Sequence, residues 1–430
     1  MHTYVLDTNV LLHSPKSIFS FAENKTILPL ASLDELDRFK TKSDELGRNA
    51  RAVSRLLDEL RTQGSLLEGV KTPDGGILQV KTCDEEVLGN IPIDLSGDVV
   101  DNVILAVAIS NHAILVTQDI NLRIKAAALG IESQEYRTGK VTADESYEGH
   151  AEVVISGEQM AELFSGGTQL EGYYENQCLT LYCESNLNHT ALGIVKNNIV
   201  RPIRKEATIG VSKIHPQNRE QQLALELLLD DSIPLVTISG RSGCGKSLLT
   251  LAAGLSKVQD GTYSRMLVSK PTISVGGSKN DIGFLPGEMK DKLSPWLNPI
   301  KDNLDIICGV DSSRNKSKRS MFDELEDQGL IQAEALSFLR GRSLQKQIFW
   351  LDESQNISPS EAKTLLTRIG EGSRCVLTGD LDQIDSPYLD SENNGLAIVI
   401  NRFKESSLAG HITLKKGVRS PLSEAASMLL

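Results

Sequence analysis

No stretch of this chain reaches the roughly 18 consecutive apolar residues that a membrane-spanning helix needs, so no membrane partner is expected. The opening residues, MHTYVLDTNVLLHS, are apolar but carry Asp7 at their centre and lack a basic start. They do not read as a signal peptide, and a cytoplasmic protein is expected. Cysteine is sparse: Cys83, Cys178, Cys183, Cys244, Cys308 and Cys375 are scattered along the chain. The nearest pair, Cys178 and Cys183, lies in the strand-like CLTLYC, where an odd offset sends side chains to opposite faces. That argues against a disulfide and against zinc, and for buried thiols in a reducing compartment. Positive charge is not in excess either. Lys and Arg number 45 against 57 Asp and Glu, for a net charge of −12, which argues against a tight nonspecific nucleic-acid binder while leaving room for a local groove. No internal repeat is evident, and low complexity is confined to a short basic loop near Ser312.

What is present is an ordinary globular composition, 40% hydrophobic and 24% charged, spread over 430 residues. That length exceeds what one core normally holds and predicts two or three domains. Residues 1–140 alternate apolar strands (HTYVL, KTILPL, AILVT) with amphipathic helical runs (RNARAVSRLLDEL, VVDNVILAVAIS), the pattern of a parallel α/β sheet. Residues 141–210 break into short β-like runs, AEVVISG, CLTLYCES, TALGIVKN and NIVRPIRK, which predict a small antiparallel β module. Tyr173, Tyr174 and Tyr182 offer few rings for base stacking there, so a spacer is as good a reading as an oligonucleotide-binding barrel. Residues 211–430 return to α/β, opening with the helix NREQQLALELLLDD and the strand IPLVTISG. The expected fold class is therefore α/β: two parallel-sheet domains joined by a β-rich module.

The string GRSGCGKS, Gly240-Arg241-Ser242-Gly243-Cys244-Gly245-Lys246-Ser247, fits G-x-x-x-x-G-K-[ST] between a predicted strand and a predicted helix. Its glycines let backbone N–H groups wrap phosphates, Lys246 reaches the β and γ oxygens, and Ser247 is suited to Mg²⁺. QIFWLDESQN ends an apolar strand in Asp352, expected to hold the magnesium through water, and Glu353, expected to polarise the attacking water. VLTGDLDQID places Gln383 after another strand, where it suits a γ-phosphate sensor. Upstream, Gln221 is a candidate for an adenine edge, which both donates and accepts hydrogen bonds. Downstream, Arg419 is a candidate arginine finger, a group worth on the order of 10³–10⁵ in rate.

A second set of acids lies in the first third. Asp7 ends the strand HTYVL, Glu35 follows KTILPL, Asp101 lies in the first turns of VVDNVILAVA, and Asp119 follows AILVT. Ligands of an open parallel sheet sit beyond the carboxyl ends of its strands. Bland uses exist: Ser32-x-x-Glu35 fits a capping box, and Asp98, Asp101 and Asp119 suit helix starts. Asp7 has no obvious structural use unless it caps a helix. Two carboxylates ~4 Å apart repel by roughly 4 kcal/mol at an effective dielectric of 20, so four converging acids would shift their pKa values or recruit cations. Oxygen-only ligands favour Mg²⁺ or Mn²⁺, which suit phosphodiester displacement.

PQNREQ, GRSGCGKS, DIGFLPGEMKDKLSPWLNPI, FWLDESQN and TGDLDQID resemble the PhoH family of P-loop ATPases, relatives of the superfamily 1 helicases, over residues 211–430. Only one P-loop and one acidic strand are present, enough for a single RecA-like core. The resemblance then implies a homo-oligomeric ring, a hexamer as in PhoH relatives, in which Arg419 acts in trans. YVLDTNVLL, LASLDELDRFK, GDVVDNVILAVA and ILVTQDINLRIKA resemble the PIN family of metal-dependent ribonucleases over residues 1–137. Asp7, Glu35, Asp101 and Asp119 fall on that family's acidic positions, with Asp98 an extra or substitute ligand, Asp34 or Asp37 competitors of Glu35, and Asn9 and Thr117 orienting groups. Together the halves resemble PIN–PhoH fusions. This implies an ATP-coupled machine that moves single-stranded RNA and cuts it, with SVGGSKN (274–280) and RNKSKR (314–319) as candidate contacts. The alternative is a nucleotide-switched RNA-binding ATPase whose PIN half does not cut.

Overall fold

A computed structural model describes residues 2–42, 45–89, 91, 99–136, 147–271, 289–309, 320–336, 342–386 and 389–417. The chain divides into two compact units, Met1–Thr138 and Gly139–Leu430. In the first, six strands form one sheet: β1 (Thr3–Leu6), β2 (Lys25–Pro29), β3 (Val70–Lys71), β4 (Ile77–Lys81), β5 (Ile114–Val116) and β6 (Ser133–Gln134). Their order is β3-β4-β2-β1-β5-β6, parallel throughout except for β3. The apolar strands read from the sequence as HTYVL, KTILPL and AILVT are β1, β2 and β5. β1 lies between the other two, with Leu6 opposite Val116. This register sets Asp7 beside Thr117 at the carboxyl end of the sheet, and Asp7 N–H donates to Val116 O at 3.0 Å.

The second unit holds two sheets. One contains β7 (His150–Ile155), β8 (Thr168–Gln169), β9 (Cys178–Cys183), β10 (Asn186–Lys196) and β11 (Ile199–Pro202), in the order β7-β9-β10-β11-β8. It is not wholly antiparallel, as the short runs predicted, because β7 pairs with β9 in parallel. The chain leaves β7 through the helix Gly157–Ser165 and the far-edge strand β8 before entering β9, and such a crossover lets two strands run the same way. The odd offset in β9 holds. Cys178 is buried in the core shared with the following α/β sheet, and Cys183 is buried in the module's own core. All six cysteines are free thiols.

The other sheet is fully parallel: β12 (Leu235–Gly240), β13 (Arg265–Ser269), β14 (Ile331–Ala333), β15 (Gln347–Leu351), β16 (Arg374–Gly379) and β17 (Ala409–Leu414), in the order β14-β13-β15-β16-β12-β17. Its strands are buried nearly end to end, as a sheet covered on both faces requires. Two α/β domains and a β-rich module are the architecture expected from the sequence. Among the described residues no helix is long and apolar enough to cross a membrane.

Candidate nucleotide site and acidic centre

The nucleotide site forms where β12 turns into the helix Lys246–Gln259. Gly240 has φ +145°, and a Cβ there would stand 2.3 Å from Leu414 O, so β17 leaves room only for glycine. Gly245 caps the helix at φ +95°, and its missing side chain leaves space for Gln221 Nε2. The Lys246 ammonium donates to Gly240 O and, at 3.1 Å, to Arg241 O, so it lies folded over the loop. Ser247 Oγ donates to Asp352 Oδ2 at 3.2 Å, across 105 residues of sequence. Burial raises the Asp352 carboxyl above its ordinary range, and the charge of Glu353 adds to the effect. Thr378 Oγ1 opposes it by donating to Asp352 Oδ1 at 2.6 Å, while accepting from Trp350 Nε1 at 2.8 Å.

Glu353 sits at φ +52°, a strained position for a non-glycine residue and a common one at functional sites. There its carboxylate lies 3.7 Å from Lys270 Nζ and accepts from Gln355 Nε2 at 2.8 Å. Gln355, fully buried, also donates to Gln383 O (2.8 Å) and accepts from Asp380 N–H (3.1 Å). Asp380 in turn accepts from Ser242 N–H at 3.1 Å, and Arg241 lies 3.9 Å from Asp382. The expected sensor Gln383 is exposed and enters this network through its carbonyl. Gln355 and Lys270, which the sequence reading passed over, are the side chains that reach Glu353.

Gln221 is 4% exposed. Its Nε2 donates to Cys244 O at 2.9 Å, and its Oε1 accepts from Gln217 N–H at 2.7 Å. It braces the phosphate loop, and contact with an adenine edge would require one of these bonds to open. Arg419 lies outside the described residues, as do Asp98, residues 281–288 of DIGFLPGEMKDKLSPWLNPI and both candidate RNA loops.

At the carboxyl edge of the first sheet, Asp7 is 4% exposed. Burial, then the charges of Asp101 and Glu35, push its carboxyl up to about 6, against the pull of Thr117. Asp7 stands at the N-cap of the helix Thr8–His13 without a side-chain cap bond, so the capping use is excluded. Thr117 Oγ1 donates to Asp7 Oδ2 at 2.6 Å and accepts from Asp119 N–H at 2.9 Å, and Asn9 Nδ2 lies 3.4 Å from the same Asp7 oxygen. Arg123 secures this arrangement by donating to Thr117 O at 3.0 Å. Asp119 caps the helix Ile120–Ala128 through Oδ1, so its helix-start use is present as well. Asp101 accepts from Lys125 Nζ at 2.8 Å. The helix Leu30–Lys40 starts at Leu30 with Pro29 as N-cap, which puts Ser32 inside it and rules out the capping box. Asp34 and Asp37 on that helix are exposed, and Asp37 pairs with Lys40. Glu35 is the acid of this helix whose charge acts on Asp7.

The donor chemistry of this edge suits a hard divalent cation. It is all oxygen, its central acid is raised by burial and by neighbouring acids, and an ammonium already stands on Asp101. As they stand, however, no three His, Cys, Asp or Glu side chains among the described residues are arranged around one ion position. Asp7, Asp101 and Glu35 share a field, and Asp119 is tied to Asp7 only through Thr117. Beside this edge a cavity of about 780 Å³ is lined by Ser20, Phe21, Arg123, Gln134 and Tyr136, among others.

A parallel sheet with a P-loop and an acidic second strand defines a P-loop ATPase, and the preceding unit has the acidic sheet edge of a PIN domain. Residues 213–429 match the family described as PhoH-like protein, and residues 4–137 match the PIN domain family. The chain belongs to the PhoH-like family and is a PIN–PhoH fusion. Three relatives match it nearly end to end. Protein PhoH2 of Bacillus subtilis (strain 168) is 42% identical over 99% of both chains. Protein PhoH2 of Thermobispora bispora is 34% identical over 100% of this chain and 96% of its own. Protein PhoH2 of Mycolicibacterium smegmatis is 34% identical over 100% and 97%. PhoH proteins are P-loop ATPases and PIN domains are usually nucleases acting on RNA.

Proposed function

We infer that this protein is an ATP-dependent RNA-processing enzyme: a divalent-metal-dependent endoribonuclease coupled to an ATP-hydrolysing, helicase-like ring that moves single-stranded RNA. The observation that carries the reading is one chain holding both Ser247 against Asp352 beyond a P-loop and an Asp7 carboxyl raised first by burial and then by the charges of Asp101 and Glu35. At the first site Lys246 and the loop N–H groups bind the ATP phosphates, Ser247 and Asp352 hold Mg²⁺, and Glu353 orients water. Gln355 links Glu353 to the Asp380–Gln383 segment, so it reports the state of the phosphate. At the second site Asp7, Glu35, Asp101 and Asp119 hold Mg²⁺ or Mn²⁺, with Thr117 and Asn9 fixing Asp7. When bound, the ion supplies Lewis acidity for in-line phosphodiester displacement. The ring is a homo-oligomer, six subunits by resemblance, with Arg419 reaching a neighbouring subunit's nucleotide.

The test uses labelled single-stranded RNA with ATP and Mn²⁺. Asp7→Asn is expected to abolish cutting and leave RNA-stimulated ATP turnover intact. Lys246→Ala is expected to lower turnover by about 10²-fold or more. Cutting that survives Asp7→Asn overturns the assignment of the acidic centre. A second reading, the nucleotide-switched RNA binder without a blade, is favoured by the acids among the described residues not sharing one ion position. It predicts ATP turnover and RNA binding with no cutting by the unaltered protein.

A further inference from the structure

The helix Ile120–Ala128 sends a cation into the acidic centre. Lys125 Nζ donates to Asp101 Oδ2 at 2.8 Å, in a pair whose side chains keep 24% and 22% of their exposure. A pair this sheltered is screened less by water and salt than a surface ion pair. Asp101 lies in the first turn of the helix Val99–Ser110, and its charge is one of the two that act on Asp7. The ammonium is therefore the cluster's own counter-ion. The same helix gives Asp119 to the centre at its N-terminus and turns Arg123 toward Thr117, so one short helix carries an acid and two cations around Asp7. The arrangement accounts for the acids failing to close on one point. Asp101 is bound to Lys125, and Asp119 Oδ1 is used at its own helix start, while the backbone N–H of Asp119 meets Asp7 through the Thr117 hydroxyl.

We propose that Lys125 competes with the divalent cation for Asp101, and that the ammonium, once released, binds a phosphate of the RNA strand. The proposal rests on the metal-nuclease reading above and deepens it. Like charges repel, so an ammonium on Asp101 and a divalent ion beside Asp7 oppose each other. The freed side chain, four methylenes ending in three donors, is a point-charge phosphate ligand with reach. Until it is released, Lys125 is a positioning residue that sets where Asp101 lies.

The test is calorimetric titration of Mn²⁺ into the full-length protein without nucleotide, with Asp7→Asn as the blank, for the unaltered chain, Lys125→Met and Lys125→Arg. Lys125→Met is expected to bind Mn²⁺ about tenfold more tightly, while Lys125→Arg, which keeps the charge, stays near the unaltered protein. With Mn²⁺ saturating, Lys125→Met should bind single-stranded RNA more weakly, and the slope of log K against log salt should fall by about 0.7, the loss of one phosphate contact. Unchanged Mn²⁺ affinity in Lys125→Met, where the unaltered protein binds the ion and Asp7→Asn does not, overturns this inference and leaves the nuclease reading standing. An equal change in Lys125→Met and Lys125→Arg also overturns it, since packing rather than charge would then be responsible. If neither the unaltered protein nor Lys125→Met binds Mn²⁺ beyond the Asp7→Asn blank, both the inference and the reading beneath it fall.

Discussion

Thr117 and Thr378 perform the same task in different sheets. Each stands on the neighbouring strand or just past its end, and each donates at 2.6 Å to an acid that burial would otherwise discharge, Asp7 in one case and Asp352 in the other. A hydrogen bond to the ionised form offsets part of the desolvation. His411 shows what burial does when the partners are neutral. Its Nδ1 faces the Thr237 hydroxyl at 2.8 Å and the Thr237 carbonyl at 3.1 Å, and its Nε2 faces the Thr413 hydroxyl at 3.1 Å. Burial pushes this imidazole down to about 3. The unfolded chain takes up a proton near pH 6.5, and the folded one does not until about pH 3. Between those values the unfolded state binds more protons, and stability falls as pH falls. Urea unfolding of the full chain is expected to lose about 2 kcal/mol from this group between pH 7 and pH 5. In His411→Gln that part of the slope should vanish, and an unchanged slope would refute the assignment. Of the residues singled out by sequence, Asp7, Lys246, Ser247 and Asp352 were legible because each ends or follows an apolar strand. Gln355 and Lys125 were not, since nothing local marks a glutamine for burial or a lysine for a carboxylate 24 positions away.

The helix Arg219–Leu229 connects the β module to the phosphate loop. Arg219 donates to Tyr182 Oη at 2.9 Å, and Gln221 holds Cys244 O. Glu220 accepts from the N–H groups of Lys415 (2.7 Å) and Lys416 (3.1 Å), just past β17. Glu226 accepts from Arg204 N–H at 2.8 Å, and Asp230 accepts from Lys196 at 2.6 Å. Burial alone would raise the Asp230 carboxyl, but the bonds from Lys196 and Ser232 outweigh it and hold the group down at about 2. A depressed acid contributes stability above its unfolded pKa near 4, and that contribution is lost as pH falls toward 2. Lys196→Met leaves a mostly buried carboxylate without its ammonium. It is expected to destabilise the chain by about 2–3 kcal/mol at pH 7, with the difference shrinking below pH 4. A constant difference across that range would show that packing of the lysine stem, not charge, was lost. The helix itself was readable from NREQQLALELLLDD. Its contacts were not, because an amphipathic pattern reveals which face is buried and not what buries it.

At the scale of the full chain, the proposed ring has each nucleotide take groups from a second copy. ATP turnover per subunit is therefore expected to rise with protein concentration in step with mass by light scattering. Mixing in Lys246→Ala subunits should suppress turnover by more than their fraction. Full activity from a monomer would contradict the proposed ring. The α/β class, the two largely parallel sheets and the resemblance of each half to its family could be read directly from the amino-acid string. Strand periodicity and the GRSGCGKS and DTN-type motifs are local, and they encode backbone shape and residue type within a few positions. The folded chain was needed to reveal that β7 runs parallel to β9, that Glu35 rather than Asp34 or Asp37 acts on Asp7, that Gln221 braces the loop, and that Lys125 reaches Asp101. Those outcomes depend on strand register, crossover path and helix phase, which are set by packing among residues tens to hundreds of positions apart.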